Sequence, residues 1–406
     1  MSQMVTESDP PQSLKPVDIP PGYKFTEVGV IPKEWSTRQI GDFCMTYTGG
    51  TPLTSQSDYY GGNIPWITSG DLNARRITDV AGRITQKGFD SSATKMVKRG
   101  DLLIALYGAT AGVIAVTEID AAINQAVLAI STEICDKEYL FQHLASRKNQ
   151  IVETYTQGGQ PNLSGEIIRS LIVAIPPLPE QRAIAAALSD ADGLIGALDA
   201  TIEKKRAIKQ AAMQQLLAGK KRLLGFEGEW EAKRIGDILK VHHGRSQRDI
   251  AVSDGKYPIL ASGGEIGRTD TALFYKPSVL IGRKGTIDEP QYISSPFWTV
   301  DTLFYTEINE KNVAKFVFYK FCMISWRNYN EASGVPSLNA KTIENIEITT
   351  PGCDEQTAIA AVLSDMDAEI AALERRREKA KQIKQSMMQQ LLTGRIRLVE
   401  PPGAAA

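Results

Sequence analysis

Residues 180–219 and 355–394 of this 406-residue chain are two copies of one segment. The first reads EQRAIAAALSDADGLIGALDATIEKKRAIKQAAMQQLLAG and the second EQTAIAAVLSDMDAEIAALERRREKAKQIKQSMMQQLLTG. The same offset of 175 residues separates both their starts and their ends. Ile184, Leu188, Ala191, Ile195, Leu198 and Ile202 fall at alternating steps of four and three, and Ile359, Leu363, Met366, Ile370 and Leu373 repeat the pattern. Such spacing predicts a coiled-coil seam about three heptads long in each copy. Pro176, Pro177 and Pro179 before the first copy, and Pro351-Gly352 before the second, stop a helix from extending backwards. Gly219 and Gly394 stand where a left-handed C-terminal cap belongs, and basic residues follow each. Two long helices of equal length are expected.

The remaining sequence is organised around them. Glu34-Trp35 followed by Arg38-Gln39-Ile40-Gly41-Asp42 matches Glu229-Trp230 followed by Lys233-Arg234-Ile235-Gly236-Asp237. Further on, Gly159, Pro161 and Leu163 match Gly334, Pro336 and Leu338. The order is globe, helix, globe, helix. We expect a proline-rich mobile arm over 1–22, a first globe over 23–175 and a central helix over 176–219. A second globe over 220–350, a second helix over 351–395 and a tail over 396–406 complete the chain. In the first globe, Asp101–Gly108, Ala111–Val116 and Ile123–Ile130 read as buried strands, and Glu138–Gln150 as a helix. Each helix has an apolar stripe whose obvious cover is the other helix. Antiparallel pairing needs no long return path, and about 60 Å of helix would then separate the globes. The fold class is α+β: two mixed α/β globes in pseudo-two-fold arrangement, separated by an antiparallel coiled coil. The helices are far more alike than the globes, so whatever the helices touch is the same twice, whereas the globes touch different things.

Several chemistries are excluded by their missing residues. An adenosylmethionine site with an Asn/Asp-Pro-Pro-aromatic tetrad is absent, because Asp9-Pro10-Pro11 is followed by Gln12. Gly219-Lys220 is followed by Lys221, so there is no phosphate-binding P-loop. Asp199, Glu203 and Lys205 have the spacing of a solvated helix face. The four cysteines are scattered and the three histidines, His143, His242 and His243, lie in no metal-ligand pattern. No catalytic residue, metal or cofactor of its own is expected. No apolar run approaches the ~18 residues that span a membrane, no signal segment opens the chain, and a cytoplasmic protein is expected.

Binding is the better-supported role. Loops at predicted strand ends combine glycine with hydroxyl, amide and basic residues, the groups that bond phosphates and read base edges. In the first globe these are Thr51, Ser69, Asp71, Tyr107, Thr110, Gln160 and Asn162. In the second they are Arg245, Gln247, Ser262, Arg283, Lys284 and Thr286. Taken singly, each loop reads more readily as a plain turn. Arg283-Lys284, flanked by Gly282 and Gly285, is hardest to explain by packing. Arg75-Arg76 and Lys95, Lys98 and Arg99 could meet phosphates or simply solvent. With a net charge of −1, bulk charge does not announce a nucleic-acid binder.

Three stretches resemble the specificity subunit of bacterial type I restriction–modification systems: Gly49–Leu72 (GGTPLTSQSDYYGGNIPWITSGDL), Ile175–Asp192 (IPPLPEQRAIAAALSDAD) and Gly225–Asp237 (GFEGEWEAKRIGD). The second helix start departs from the pattern as Pro351-Gly352-Cys353-Asp354-Glu355-Gln356, and the second globe lacks the Gly-Gly-Thr-Pro and Ile-Pro-Trp stretches. The resemblance implies two target-recognition domains, each reading half of a split, asymmetric site in double-stranded DNA. The helices would act as spacer and dock two methyltransferase subunits for adenine-N6 methylation, with two restriction/translocase subunits joining through them. S-adenosylmethionine, ATP and Mg would belong to those partners. A coiled-coil scaffold with two protein-binding heads is the competing reading, and a stand-alone DNA-modifying enzyme is disfavoured by the missing motifs.

Overall fold

The structure, a computed structural model, describes residues 19–155 and 162–399. The chain forms two compact units: one from the chain up to Gly196 together with the segment from Glu378 onward, the other from Ala197–Arg377. The repeated segments form two helices of 39 residues, Leu178–Leu216 and Cys353–Leu391. Each therefore contributes one part to each unit. The first helix begins two residues before the repeat, and Pro179 sits in its first turn, where a missing N–H leaves no bond unmade. Both helices end as expected. Gly219 and Gly394 take φ of 66° and 68°, and Lys221 N–H donates to Gln215 O as Ile396 N–H does to Gln390 O, both at 3.2 Å. A side chain at either glycine would also meet a tryptophan ring, that of Trp230 at 3.3 Å or of Trp35 at 3.2 Å.

In the first unit, a five-stranded sheet runs Met45–Thr48, Val127–Ser131, Leu102–Ala105, Ile114–Thr117, Arg76–Ile77. A four-stranded sheet runs Arg83–Ile84, Tyr60–Ile67, Ala121–Ile123, Lys95–Val97. Ser36–Gln39 pairs with Ile172–Ile175, and a hairpin, Tyr23–Thr26 with Gly29–Pro32, opens the described chain. Two expectations need correction. Ile123–Ile130 is not one strand: it breaks at Asn124-Gln125 and passes from one sheet to the other. Glu138–Gln150 is not one helix: Lys137–Ser146 and Lys148–Tyr155 are separated at Arg147, whose N–H turns back to Leu144 O. The second unit repeats the plan with two four-stranded sheets. One runs Leu239–His243, Leu303–Ile308, Ser278–Gly282, Gln291–Ile293; the other Ala251–Val252, Gly264–Thr269, Tyr257–Ala261, Trp298–Thr299. Glu231–Arg234 pairs with Glu347–Thr350 as its counterpart does.

The two long helices run antiparallel within each unit. In the second, Asp199 meets Arg377 at 3.1 Å, Lys205 meets Glu369 at 2.7 Å and Lys209 meets Asp367; in the first, Asp192 meets Lys384 at 2.6 Å. Ile184, Leu188, Leu198, Ile202, Ile359, Leu363 and Ile370 are buried, while Ile195, Met366 and Leu373 are half-buried. The other helix is only part of their cover. Ile184 and Leu188 share a core with Tyr139, Leu140 and Leu144 of the globe as well as Leu391 and Leu392. Ile359 and Leu363 do the same with Phe316, Tyr319, Met213, Leu216 and Leu217.

The Glu-Gln pair that starts each helix is buried and fully bonded. Arg397 donates from Nε to Glu180 Oε1 at 2.5 Å and from Nη2 to Oε2 at 2.8 Å, and Trp35 Nε1 donates to the same Oε2 at 2.9 Å. Arg222 donates to Glu355 in the same two-pronged way at 2.5 and 2.6 Å, and Trp230 Nε1 adds a donor at 3.3 Å. Gln181 Oε1 accepts from Asp136 N–H and its Nε2 donates to Pro176 O, both at 2.8 Å. Gln356 serves Val313 and Pro351 identically at 2.9 Å. Each clamp joins the start of one long helix, the segment just beyond the end of the other, and the tryptophan that immediately precedes a globe strand.

His143 is 4% exposed with both ring nitrogens unpartnered among the described residues, and it lines a cavity of about 400 Å³ beside Arg147, Met388 and Leu392. Its counterpart, Lys320, instead donates from Nζ to Leu217 O at 3.0 Å. Burial, with Arg147 adding to it, pushes the His143 pKa from 6.5 down to about 3.

Two consequences can be measured. Replacing Arg397 with Ala strands the Glu180 carboxylate, which is 0% exposed, and should cost ~3–5 kcal/mol in denaturant unfolding; Arg222→Ala should destabilise as well. His143 stays neutral in the fold while the unfolded chain takes up a proton below pH 6.5. Its contribution is therefore complete above 6.5 and is lost as pH falls toward about 3. His143→Leu should flatten the fall in melting temperature across that window, and an unaltered slope would refute the assignment.

Candidate nucleic-acid interface

In the first unit the candidate loops converge on the break at Asn124-Gln125. Gly50 N–H donates to Ile123 O at 3.1 Å, and a Cβ on Gly49 would lie 1.7 Å from that same oxygen, so only glycine allows the approach. Thr51 Oγ1 donates to Gln125 Oε1. Asn124 N–H donates to Ile67 O at 3.1 Å, which brings in Thr68 and Ser69, and Leu106 N–H donates to Ala126 O at 2.9 Å, which brings in Tyr107. Tyr107 forms an antiparallel bridge with Asn162, and Thr110 closes the turn Gly108–Thr110 behind it. Thr51, Ser69, Tyr107 and Asn162 thus share one end of the globe. Gln160 lies outside the described residues. Asp71 is partly committed to its own turn, accepting from Thr68 N–H at 2.7 Å and Thr68 Oγ1 at 2.8 Å through one oxygen.

The second unit builds the same corner from different side chains. A Cβ on Gly244 would lie 2.0 Å from Val300 O, and Arg245 N–H donates to Thr299 O at 2.8 Å. Arg283 N–H donates to Thr302 O at 2.8 Å and its Nη1 to Asp301 O at 3.2 Å. Lys284 bridges Ser337, and Gly285 N–H donates to Pro336 O at 2.9 Å. A Cβ on Gly282 would lie 1.9 Å from Thr286 O, which fixes Thr286 under the Arg283-Lys284 turn. Val300 N–H donates to Leu260 O at 3.1 Å, and Gln291 Nε2 ties Ala261 and Ser262 to this end through their carbonyls at 3.0 Å. Gln247 starts the next turn, its carbonyl accepting from Ile250 and Ala251. Asn124, Gln125, Asp301 and Thr302, which are not among the sequence-based candidates, also sit at these corners. The signal for Asn124-Gln125 was two amides inside an apolar run, where a buried strand has no partner for them.

The corners differ in charge. Arg245, Arg248 and Lys284 are exposed and Arg283 is half-buried; none has a carboxylate partner among the described residues, so their charge is not neutralised by a neighbouring carboxylate. The first corner offers hydroxyl, phenol and amide groups, with Lys95 on the adjoining strand, opposite Ile123. Other basic candidates are committed elsewhere. Arg76 bonds Glu118 at 3.0 Å and Glu138 at 2.6 Å, Lys98 lies 3.5 Å from Asp120 and Arg99 lies 3.4 Å from Glu118. Asp199 and Lys205 pair with the other long helix, and Glu203 with Arg206 at 2.8 Å. His242 stacks on Tyr305 at 5.0 Å and meets Glu307 at 3.2 Å, while His243 packs edge-on to Phe304 at 4.9 Å. Adjacent residues on one strand face opposite ways, so the two imidazoles do not converge. No group of His, Cys, Asp or Glu able to hold a metal occurs among the described residues, and none of their helices is long and apolar enough to cross a membrane.

Known proteins are similar in sequence and in fold. The chain is 25% identical to the type I restriction enzyme MjaIX specificity subunit of Methanocaldococcus jannaschii, over 93% of this chain and 97% of that protein. It is 25% identical to the MjaVIII specificity subunit of the same organism, over 91% and 94%. The type I restriction–modification S subunit of M. genitalium has a similar fold, with a TM-score of 0.63 at 16% identity, covering 88% of this chain and 96% of that one. The model of the type I restriction modification DNA specificity domain matches twice, over residues 32–206 and 227–385, and the chain belongs to that family.

Proposed function

We propose that this chain is the non-catalytic DNA-recognition subunit of a methyltransferase/endonuclease complex, in which each globe reads one half of a bipartite, asymmetric site in double-stranded DNA. The observation that carries the reading is the pair of corners, built alike in backbone and unlike in side chains. One scaffold displaying two donor sets suits two different short sequences. The matched helices set the distance between the half-sites and dock two methyltransferase subunits, which methylate adenine N6 and bring two restriction/translocase subunits with them. S-adenosylmethionine, ATP and Mg belong to those partners, and the complex works in the cytoplasm. Partners that hold the DNA would supply much of the phosphate attraction, in keeping with a net charge of −1.

Exchange of residues 23–175 for a different globe, followed by mapping of methylated sites in the assembled complex, should change one half-site only. An unaltered methylated sequence would sink the assignment of readers to globes. Arg283→Ala should lower discrimination at one base pair by ~1–3 kcal/mol through loss of a bidentate base contact. Uniform weakening across sequences would place Arg283 on a phosphate instead.

A further inference from the structure

Arg75 holds a backbone conformation that ordinary residues avoid. Its φ of 62° with ψ of −40° is the one positive φ outside glycine among the described residues. Angles of this kind belong to the rare, strained form of the γ-turn, and glycine would adopt them without the Cβ clash. Both backbone ends are pinned, Arg75 N–H donating to Leu72 O at 3.0 Å and its carbonyl accepting from Val116 N–H at 2.8 Å. The side chain is half exposed; its guanidinium lies 5.4 Å from the centre of the Phe141 ring and 3.7 Å from Asp192. A contact so exposed returns little stability, so strain here is poorly explained by stability alone.

What the contact does is join two parts of the first unit. Arg75 ends the short helical turn Asp71–Ala74, directly after the Thr68–Asp71 loop of the candidate interface. Asp192 lies on the first long helix and already accepts from Lys384 of the second at 2.6 Å and from Gln142 at 2.9 Å. In the second unit, Asp367 is served by Lys209 and by Tyr319 at 2.6 Å. The further cation beside it, Lys315, comes from the helix Ala314–Met323 and sits over Tyr292 at 4.2 Å. Among the described residues, no ion pair from the second unit's candidate loops reaches Asp367 as Arg75 reaches Asp192.

We propose that Arg75 is a positioning residue that registers the Thr68–Asp71 loop against the first long helix and so narrows the half-site spacings the complex accepts. This rests on the globe being a DNA reader. The test uses the full chain assembled with its methyltransferase partner and duplexes with fixed half-sites whose spacer changes one base pair at a time. Arg75→Gly removes the strut and the strain together. It should melt no lower than wild type, keep the half-site sequences, and lower the rate ratio between the preferred spacing and its neighbours by up to about fivefold, the range a half-exposed ion pair supports. Arg75→Lys, which restores the cation, should keep the wild-type ratio. A wild-type ratio in Arg75→Gly, or altered base preference with spacing intact, would overturn the proposal. If the wild-type complex methylates no split site, the DNA-reading assignment itself fails and this inference goes with it.

Discussion

The buried Glu–Arg pair at each helix start is the constraint on which the rest depends. A carboxylate with no solvent exposure is tolerable only with a matched cation and its remaining lone pairs filled. Glu180 obtains this from Arg397 and Trp35, and Glu355 from Arg222 and Trp230. Because each arginine lies three residues beyond the capping glycine of the opposite helix, the clamp can close only if that helix stops at the right place. Gly219 and Gly394 enforce the stop, and the clamp tryptophan packs against the glycine that lacks a side chain. Charge satisfaction, helix length and globe attachment are thus one requirement.

That requirement changes the meaning of the repeat. Strong similarity of the two helices pointed outward, toward identical partners. Much of it also points inward: to the clamp, to the Gln181 and Gln356 bonds, and to the paired hubs at Asp192 and Asp367. The globes are freer because their conserved duties are few. A strand must lie beside the helix start, and glycines must let the chain pass close to a carbonyl at the candidate corner. Hydroxyls and amides occupy that corner in one unit and cations in the other, on the same backbone approach.

Elements governed by local periodicity were legible from sequence: both long helices and their caps. What escaped was set by distant partners. The apolar run at Ile123–Ile130 carries Asn124-Gln125 as its one local hint of a break, and the sheet-to-sheet crossing is what places the break there. Arg147 halts a helix that its neighbours would continue, its Nη1 held by Ile172 O at 2.6 Å. Arg76 looked available for phosphate until Glu118 and Glu138 were found beside it. Arg397 sits 217 residues from Glu180, beyond any motif window. The close backbone approach at each candidate corner was legible through its glycines, whereas which side chains remain unpaired there was not.

The composite make-up of the first unit has a consequence for biosynthesis. Ala197–Arg377 is continuous, so its core can close as soon as it leaves the ribosome. The first unit is made from both sides of that stretch. Its globe emerges early, yet Leu391, Leu392 and Arg397, which complete its core and neutralise Glu180, arrive last. The earlier-made globe must therefore wait with an unpaired carboxylate and an uncovered apolar face while the later one matures. A nascent chain of this design is exposed to aggregation from the emergence of its first globe until the turns around Leu391 and Leu392 are made.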